Sequence, residues 1–164
     1  MERPGAGLVP RWWGRLAVLL SVAGFGDALY LTVDHFTGAL PVCSASGTFD
    51  CAKVTTSSQS YVVGVPVALL GLLFYTAMVL VNVPPLWRAD RRWTASAAWL
   101  RLAMAMAGMC FVAWLIYAEL AIIKSVCLWC TGVHVVTFLL FVLVVGTFAP
   151  LVGSVAAGSE GGAG

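Results

Sequence analysis

The sequence predicts an all-α integral membrane protein, a bundle of four transmembrane helices with a cysteine-bearing outer loop between the first two. Three observations predict this fold class. Hydrophobic residues make up 61% of the chain and charged residues 10%, against roughly 45–50% and 25% in soluble domains. The mean hydropathy is +0.96, and long apolar runs alternate with short polar joints. A chain of 164 residues has room for about four spans of about 20 residues each, and for no sizeable soluble domain.

The apolar runs give the positions of the spans. The first run continues past any plausible signal-peptide cleavage point and lacks a small-x-small site, so we interpret it as a span. Pro66 stands near the start of the second run, where its missing N–H costs nothing, and Pro84-Pro85 ends that run. The four spans are predicted at residues 13–36, 65–83, 97–123 and 128–148.

The segments outside the spans differ in composition. Residues 37–64 are rich in Thr, Ser and Gly and form the one long loop, in which 52–60 are predicted to be a short surface helix. A loop of this length is often functional. Residues 84–96 form a basic connector with two tryptophans, which suit a membrane interface. The Gly, Ala and Ser tail at 153–164 is predicted to be disordered, so that residues 1–152 make a single membrane domain.

Basic residues lie mainly on one side of the predicted membrane. The seven arginines lie before or at the start of the first span, or near the connector, whereas the two lysines lie in the opposite loops. The positive-inside rule therefore predicts cytoplasmic termini, a cytoplasmic 84–96 loop and an outer 37–64 loop. The outer compartment is the oxidising one, where thiol pairs are used as disulfides. The arginines are Arg3, Arg11, Arg15, Arg88, Arg91, Arg92 and Arg101, and the lysines are Lys53 and Lys124.

Four of the five cysteines are expected on this outer side, in two pairs. Cys127 and Cys130 form a C-x-x-C in the first turn of the fourth span, where a disulfide forms with little backbone movement and the helix dipole favours the thiolate. The motif alone leaves a metal half-site or a structural disulfide open. Cys43 and Cys51 enclose seven residues of a flexible loop, a closure that costs little entropy and leaves the pair accessible. Cys110, within the third span, is expected to be a small buried hydrophobe.

Two pairs at two depths suit a transfer of electrons from a water-soluble thiol protein to a lipid-dissolved acceptor by thiol–disulfide exchange. At this point the chain resembles the vitamin K epoxide reductase family, in particular its bacterial branch, which oxidises protein thiols and reduces quinone. The resemblance covers residues 13–148. The matching motifs are Cys43-x7-Cys51 followed by Ser57, Gly64-x-Pro66 with Gly71 and Tyr75, and Tyr117-x-Glu119-Leu120 ahead of Cys127-x-x-Cys130.

The resemblance implies a four-helix bundle around a quinone of the menaquinone, ubiquinone or vitamin K type, in a bacterial inner membrane. It also implies an electron relay that supports disulfide bond formation. A thioredoxin-fold partner reduces the Cys43–Cys51 disulfide, Cys51 then attacks Cys127, and Cys130 faces the quinone. Many bacterial members carry a fused thioredoxin-like domain, whereas this chain stops with its Gly-rich tail. We therefore expect a separate DsbA-like or other thioredoxin-fold protein as the partner on the outer side.

Four further residues are expected to bind or orient the quinone. Ser57 and Tyr75 come from the resemblance. His134 lies one turn after the C-x-x-C on the same helix face, and a histidine can hydrogen-bond a carbonyl and pass a proton at neutral pH. Asp27 is an acid inside a span, which is functional by default, and we expect it to orient the His134 ring. Glu119 fits an interfacial carboxylate or a functional one equally well.

Other assignments fit the pattern less well. DsbB-type oxidases have their C-x-x-C in the first outer loop, and claudin-like scaffolds have a Gly-Leu-Trp motif before the loop cysteines. A four-cysteine zinc site would need a second C-x-x-C. We therefore expect an oxidoreductase that acts on thiols with a quinone acceptor in the lipid bilayer, with no metal and no nucleic acid. The alternatives are a non-enzymatic membrane scaffold with an outer-loop disulfide, or an animal-type vitamin K epoxide reductase, in which a tyrosine replaces His134.

Overall fold

The computed structural model describes residues 11–43, 48–83 and 91–160, and these are mostly helical. The helices are α1 (Arg11–Thr37), α2 (Cys51–Thr55), α3 (Val67–Asn82), α4 (Arg91–Tyr117) and α5 (Leu128–Glu160), with a 3₁₀ turn at Ser58–Ser60 and a π-helical segment at Ala118–Ile123. Two short strands, β1 (Tyr61–Val62) and β2 (Val65–Pro66), pair antiparallel.

Three helical stretches are long and apolar enough to cross a membrane, which confirms three of the four predicted spans. They are Trp12–Thr37, Ala95–Ile123 and Leu128–Pro150. The remaining helix, α3, is apolar but has 16 residues. At a rise of 1.5 Å per residue it is about 24 Å long, shorter than the roughly 30 Å of a bilayer core. The second predicted span, 65–83, therefore stays a prediction.

Two helix boundaries differ from the prediction. Helix α4 begins at Arg91 and not near residue 97, and α5 continues to Glu160 past the predicted end at 148. The predicted disordered tail is therefore wrong for residues 153–160, while 161–164 and most of the connector, 84–90, lie outside the described residues. Extending a helix that already exists adds one hydrogen bond per residue fixed, whereas starting a new helix is costly.

The helices pack as a bundle around a core in which large side chains lie against small residues. Helix α1 packs against α3 and α5, and α4 packs against α5 and α3. Tyr75 is fully buried at the centre, and its ring lies directly against Gly24 of α1, where any added Cβ would overlap the ring. The glycine therefore lets α1 approach α3 closely. The buried core cluster consists of Ala28, Tyr75, Met78, Ala105, Leu140 and Val144.

The end of the bundle opposite the cysteines contains a buried arginine. The Arg101 side chain is 1% exposed, and its Nε and Nη2 atoms donate to the Val81 carbonyl at 2.9 and 2.6 Å. The last carbonyls of a helix have no intrahelical donor, so a cation there is favourable. Arg101, which we counted among the basic residues flanking the spans, therefore caps the C-terminal end of α3 within the bundle.

The loop at 37–64, of which 44–47 lie outside the described residues, is folded onto the bundle. A parallel bridge pairs Phe49 with Val126, with hydrogen bonds from Asp50 N–H to the Val126 carbonyl and from Val126 N–H to the Thr48 carbonyl at 3.1 and 2.9 Å. The predicted surface helix at 52–60 is present as α2 and the 3₁₀ turn. The loop therefore forms a cap attached to the joint between the π-helical segment and α5.

Candidate active site

The C-x-x-C lies where α5 begins, with Cys127 immediately before the first helical residue. The N–H of Cys130 donates to Cys127 Sγ at 3.3 Å, and the N–H of Thr131 donates to the Cys127 carbonyl at 2.9 Å. Cys127 thus occupies the N-cap position and not the first turn as predicted, so its sulfur satisfies one of the unpaired N–H groups there. Hydrogen bonding from the Cys130 thiol lowers the pKa of Cys127, against the opposing effects of burial and of the nearby Glu119 charge.

The loop cysteines form the predicted pair. Cys43 and Cys51 are joined by a disulfide, with a Cα–Cα distance of 6.0 Å. The prediction that the pair is accessible holds in part, because Cys43 is half-buried whereas Cys51 is 1% exposed. Cys51 is the first residue of α2, and the bridge between Phe49 and Val126 holds this end of the loop against the C-x-x-C.

The two cysteine pairs meet in one cluster. Cys51, Val54 and Cys127 are buried together, with Cys43 and Cys130 packed against them. The N–H of Leu128, next to Cys127, donates to Cys51 Sγ at 3.3 Å. Thiol–disulfide exchange needs the attacking and the attacked sulfur side by side. The structure therefore brings together the four cysteines that the sequence predicts to react in turn.

A second contact between the loop and the C-x-x-C involves two aromatic side chains. Trp129, inside the motif, donates from its indole Nε1 to the Val42 carbonyl at 3.1 Å, and the Val42 N–H donates to the Tyr30 hydroxyl at 3.3 Å. The Trp129 and Tyr30 rings contact each other with their centroids 4.6 Å apart. Both backbone groups of the residue before Cys43 are thus held by side chains from the bundle, and we call this arrangement the Val42 clamp.

A cavity of about 520 Å³ lies beneath the cysteine cap, a volume within the usual range for small-molecule sites. Cys130 lines it, whereas Cys127 does not. The inner wall is mostly apolar, with Phe74 of α3 and Phe111 of α4 among its residues. A flat, mostly apolar ring with polar oxygens fits such a space, because the apolar walls accept its faces and polar side chains meet its edge. The polar groups in the lining include His134, Ser57, Asp34 and Glu119.

Three of the four residues predicted to bind quinone line this cavity. His134 is 6% exposed, and its ring has no hydrogen-bond partner among residues 11–43, 48–83 and 91–160. The Ser57 hydroxyl donates to the Val54 carbonyl at 2.7 Å, which leaves the hydroxyl free to accept. Tyr75 is 0% exposed, and its hydroxyl bonds the Val133 carbonyl at 3.0 Å and Thr137 at 2.8 Å. Tyr75 therefore joins α3 to α5 beside the cavity.

Asp27 is not in the cavity lining. A Cβ added to Gly132 of α5 would lie 2.7 Å from Asp27 Oδ2, so the carboxylate packs against the α5 backbone. Asp27 Oδ1 is buried without a hydrogen-bond partner in the described part of the chain. The structure places Asp27 against α5, and its expected role in orienting His134 stays a prediction.

Sequence reasoning gave too little weight to two acidic residues. Asp34 is 9% exposed and Glu119 is 6% exposed, and both line the cavity. Asp34 Oδ2 is buried with no hydrogen-bond partner among the described residues. The sequence alone does not decide the role of Glu119. Its position eight residues before Cys127 indicates proximity only if the joint between them folds back, as it does here. Cys110 lies on the exposed surface of α4, and not buried as expected, because its side of the helix faces outward.

The profile of the vitamin K epoxide reductase family matches residues 15–145, which contain both cysteine pairs and the cavity. The chain belongs to the vitamin K epoxide reductase family. It is therefore a membrane protein of an oxidoreductase family whose members use thiols and quinones. A search of curated proteins finds no match. Among the residues that the structure describes, no group of three or more potential ligands is placed to hold a metal, and the Cys43–Cys51 disulfide leaves those two sulfurs unable to act as thiolate ligands.

Proposed function

We propose that this protein is a thiol:quinone oxidoreductase that supports disulfide bond formation outside the bacterial cell membrane. Electrons enter at the Cys43–Cys51 disulfide, pass to Cys127 and Cys130, and leave to a quinone in the cavity beneath them. The observation that carries the proposal is the contact between the two cysteine pairs, with the N–H next to Cys127 bonded to Cys51 Sγ at 3.3 Å. A scaffold needs one disulfide and has no use for a second pair beside an apolar cavity.

The entry step takes place at Cys43, the more exposed sulfur of the loop disulfide. A separate DsbA-like or other thioredoxin-fold protein on the outer side attacks Cys43 with its own thiolate, and the electron pair of the S–S bond goes to Cys51. The freed Cys51 thiolate lies beside Cys127 and attacks it when the C-x-x-C is a disulfide, which leaves Cys130 as a thiolate. The second cysteine of the partner attacks the mixed disulfide at Cys43, so that the partner leaves as a disulfide and Cys43 is freed as a thiolate. Cys43 then attacks Cys51 of the Cys51–Cys127 disulfide. This step re-forms the loop disulfide and leaves Cys127 and Cys130 reduced by two electrons.

The exit step takes place in the cavity. A quinone of the menaquinone, ubiquinone or vitamin K type, when bound there, accepts two electrons and two protons. Cys130 lines the cavity wall and donates the electrons, and the Cys127–Cys130 disulfide re-forms. His134 and Ser57, which line the same cavity, hydrogen-bond the carbonyl oxygens, and His134 passes a proton. Tyr75 holds α3 against α5, and so keeps the inner wall in place.

The deciding experiment follows quinone absorbance under anaerobic conditions. Purified protein is mixed with a reduced thioredoxin-fold partner and with each quinone class, next to a Cys130→Ala variant and a matched Cys110→Ala control. We expect quinol to form with the unmodified protein and with Cys110→Ala, and not with Cys130→Ala. Absence of quinone reduction with every partner and every quinone would refute the proposal.

We further propose cytoplasmic termini and an active site on the outer face, from the arginine distribution. A membrane-impermeant maleimide applied to intact, reduced cells is then expected to modify Cys43, which is half-buried at the cap. Cys110 faces outward within a span and is expected to stay unmodified, because it has lipid and not water around it. Labelling of Cys43 only after permeabilisation would show that the protein has the opposite orientation in the membrane.

A further inference from the structure

One buried acid has no role in the relay described so far. Glu119 is 6% exposed, lies in the π-helical segment Ala118–Ile123, and lines the cavity that Cys130 also lines. π-Helical turns are rare and often occur at functional sites. A carboxyl group with so little access to water carries a cost that a purely structural position would avoid.

The π-helical segment directs Glu119 towards the C-x-x-C. The segment ends at Lys124, whose backbone is left-handed with φ of 56°. The N–H groups of Lys124 and Ser125 both donate to the Glu119 carbonyl, the latter at 3.1 Å. The chain thus turns back on itself, and the Glu119 carboxylate faces the backbone N–H of Cys127. A single side chain therefore adjoins Cys127 on one side and the cavity on the other.

Closing the Cys127–Cys130 disulfide requires a proton acceptor beside Cys127, and Glu119 lies at that position. Cys127 must become a thiolate before its sulfur attacks the sulfur of Cys130. Cys127 is 0% exposed, so its proton must pass to a neighbouring group of the protein and not to water. Cys130 is itself reacting. Among the described residues, Glu119 is the carboxylate that both faces Cys127 and lines the cavity.

We propose that Glu119 is a catalytic residue that takes the proton of Cys127 as the disulfide closes and delivers it across the cavity to the bound quinone. The inference rests on the proposed function, and it balances. Two S–H bonds break and one S–S bond forms, so the dithiol releases two electrons and two protons, and the quinone takes up both. The proton of Cys130, whose thiol lines the cavity, needs no such carrier.

The charge balance favours this transfer. An ionised Glu119 opposes the formation of a second negative charge at Cys127 and raises its pKa, against the lowering by hydrogen bonding from Cys130. When the proton moves from Cys127 to Glu119, the pair keeps one negative charge throughout, and no like-charge repulsion develops. The other titratable or charged groups in the cavity lining are Asp34 and His35 of α1, Tyr61 of β1, Tyr75 of α3, and Cys130 and His134 of α5. Asp27 of α1 lies near Cys130, and Lys124 follows the π-helical segment.

The test follows disulfide closure without any quinone. In a background with Cys43→Ser, Cys51→Ser and Cys110→Ala, the two remaining thiols are Cys127 and Cys130. Reduced protein is mixed with dipyridyl disulfide, which first forms a mixed disulfide at Cys130 and releases one pyridinethione. Cys127 then attacks Cys130 and releases a second one, and the rate of this second phase is measured as a function of pH.

We expect the second phase to reach a plateau near neutral pH with Glu119 present. With Glu119→Gln it should be about 10²-fold slower there, as is typical for loss of a general base, and should rise with pH as hydroxide takes over. Thermal unfolding of both proteins checks the fold. Equal rates and equal pH profiles would overturn the inference. If Glu119→Gln does not fold, Glu119→Asp is measured instead. It keeps the acid one methylene further from Cys127, so the plateau should persist at a several-fold lower rate, and an unchanged rate would again overturn the inference.

This result is independent of the proposed function. If the unmodified protein reduces no quinone but Glu119→Gln still slows disulfide closure, Glu119 is supported as the proton acceptor and quinone is refuted as the electron acceptor. If quinone is reduced but Glu119→Gln leaves the rate of disulfide closure unchanged, the proposed function is supported and the role of Glu119 is refuted.

Discussion

The Val42 clamp predicts that Trp129 controls electron transfer between the two cysteine pairs. Trp129→Phe keeps an aromatic ring against Tyr30 but removes the indole N–H that donates to the Val42 carbonyl at 3.1 Å. A hydrogen bond of this kind contributes about 0.5–1.5 kcal/mol. Exchange takes place only while the loop lies on the C-x-x-C, so losing that free energy slows the exchange by at most about 2- to 12-fold at 1.4 kcal/mol per factor of ten.

The assay compares two routes of electron entry. In the first, a reduced thioredoxin-fold protein donates through the loop disulfide. In the second, a small dithiol reduces Cys127 and Cys130 directly in a Cys43→Ser, Cys51→Ser background. Trp129→Phe should slow quinone reduction by the first route and leave the second unchanged. Trp114→Phe is the matched control, because Trp114 is an exposed tryptophan of α4 that contacts Tyr117 and is not part of the cluster formed by the two cysteine pairs.

Two results would refute the reasoning about the clamp. Equal slowing by both routes would mean that Trp129 acts on the C-x-x-C or the cavity itself. An unchanged rate by the first route would mean that the bridge between Phe49 and Val126 positions the loop alone. Tyr30→Phe removes the acceptor of the Val42 N–H and should reproduce the effect of Trp129→Phe if the clamp acts as one unit.

Two further predictions concern the relay and the proton supply. A double variant with Cys43→Ala and Cys130→Ala should form a single disulfide between Cys51 and Cys127, which mass spectrometry of a non-reduced digest detects. Both thiols remaining free under oxidising conditions would contradict the order of attack. His134→Phe should leave the protein folded and the cysteine pairs able to exchange, while quinone reduction falls roughly 10²-fold, as on losing a general acid. Unchanged quinone turnover would make His134 a structural residue.

Local patterns in the sequence predict three of the spans and the Cys43–Cys51 disulfide. The apolar runs and the C-x-x-C spacing are properties of neighbouring residues, so hydropathy and helix geometry are enough to interpret them. Helix ends are less well predicted, because the continuation of α5 to Glu160 depends on the span that precedes it. The burial of Arg101 is a tertiary effect, since its acceptor is a carbonyl of another helix.

The candidate site depends on contacts that no local pattern encodes. Residues 37–64 are polar and rich in glycine and serine, which predicts a flexible loop, yet backbone hydrogen bonds to Val126 fix part of it on the bundle. The position of Glu119 depends on a π-helical segment and a left-handed residue, and neither has a sequence signature. Asp27 is a similar case, because its place inside a span was predicted from the sequence, whereas its neighbour Gly132 is known only from the packing of α1 on α5.

The docked loop has a consequence for the kinetics of the proposed relay. A flexible loop would have to find the C-x-x-C in every cycle, whereas Cys51 already lies on the N–H next to Cys127, so the exchange is an intramolecular step between groups held in place. Only the first step then requires a collision between proteins, and only Cys43 needs to be reachable from water. Burial of Cys51, Cys127 and the cavity therefore does not impede turnover. It keeps water and other thiols away from the two sulfurs that, in the proposed relay, pass electrons inward.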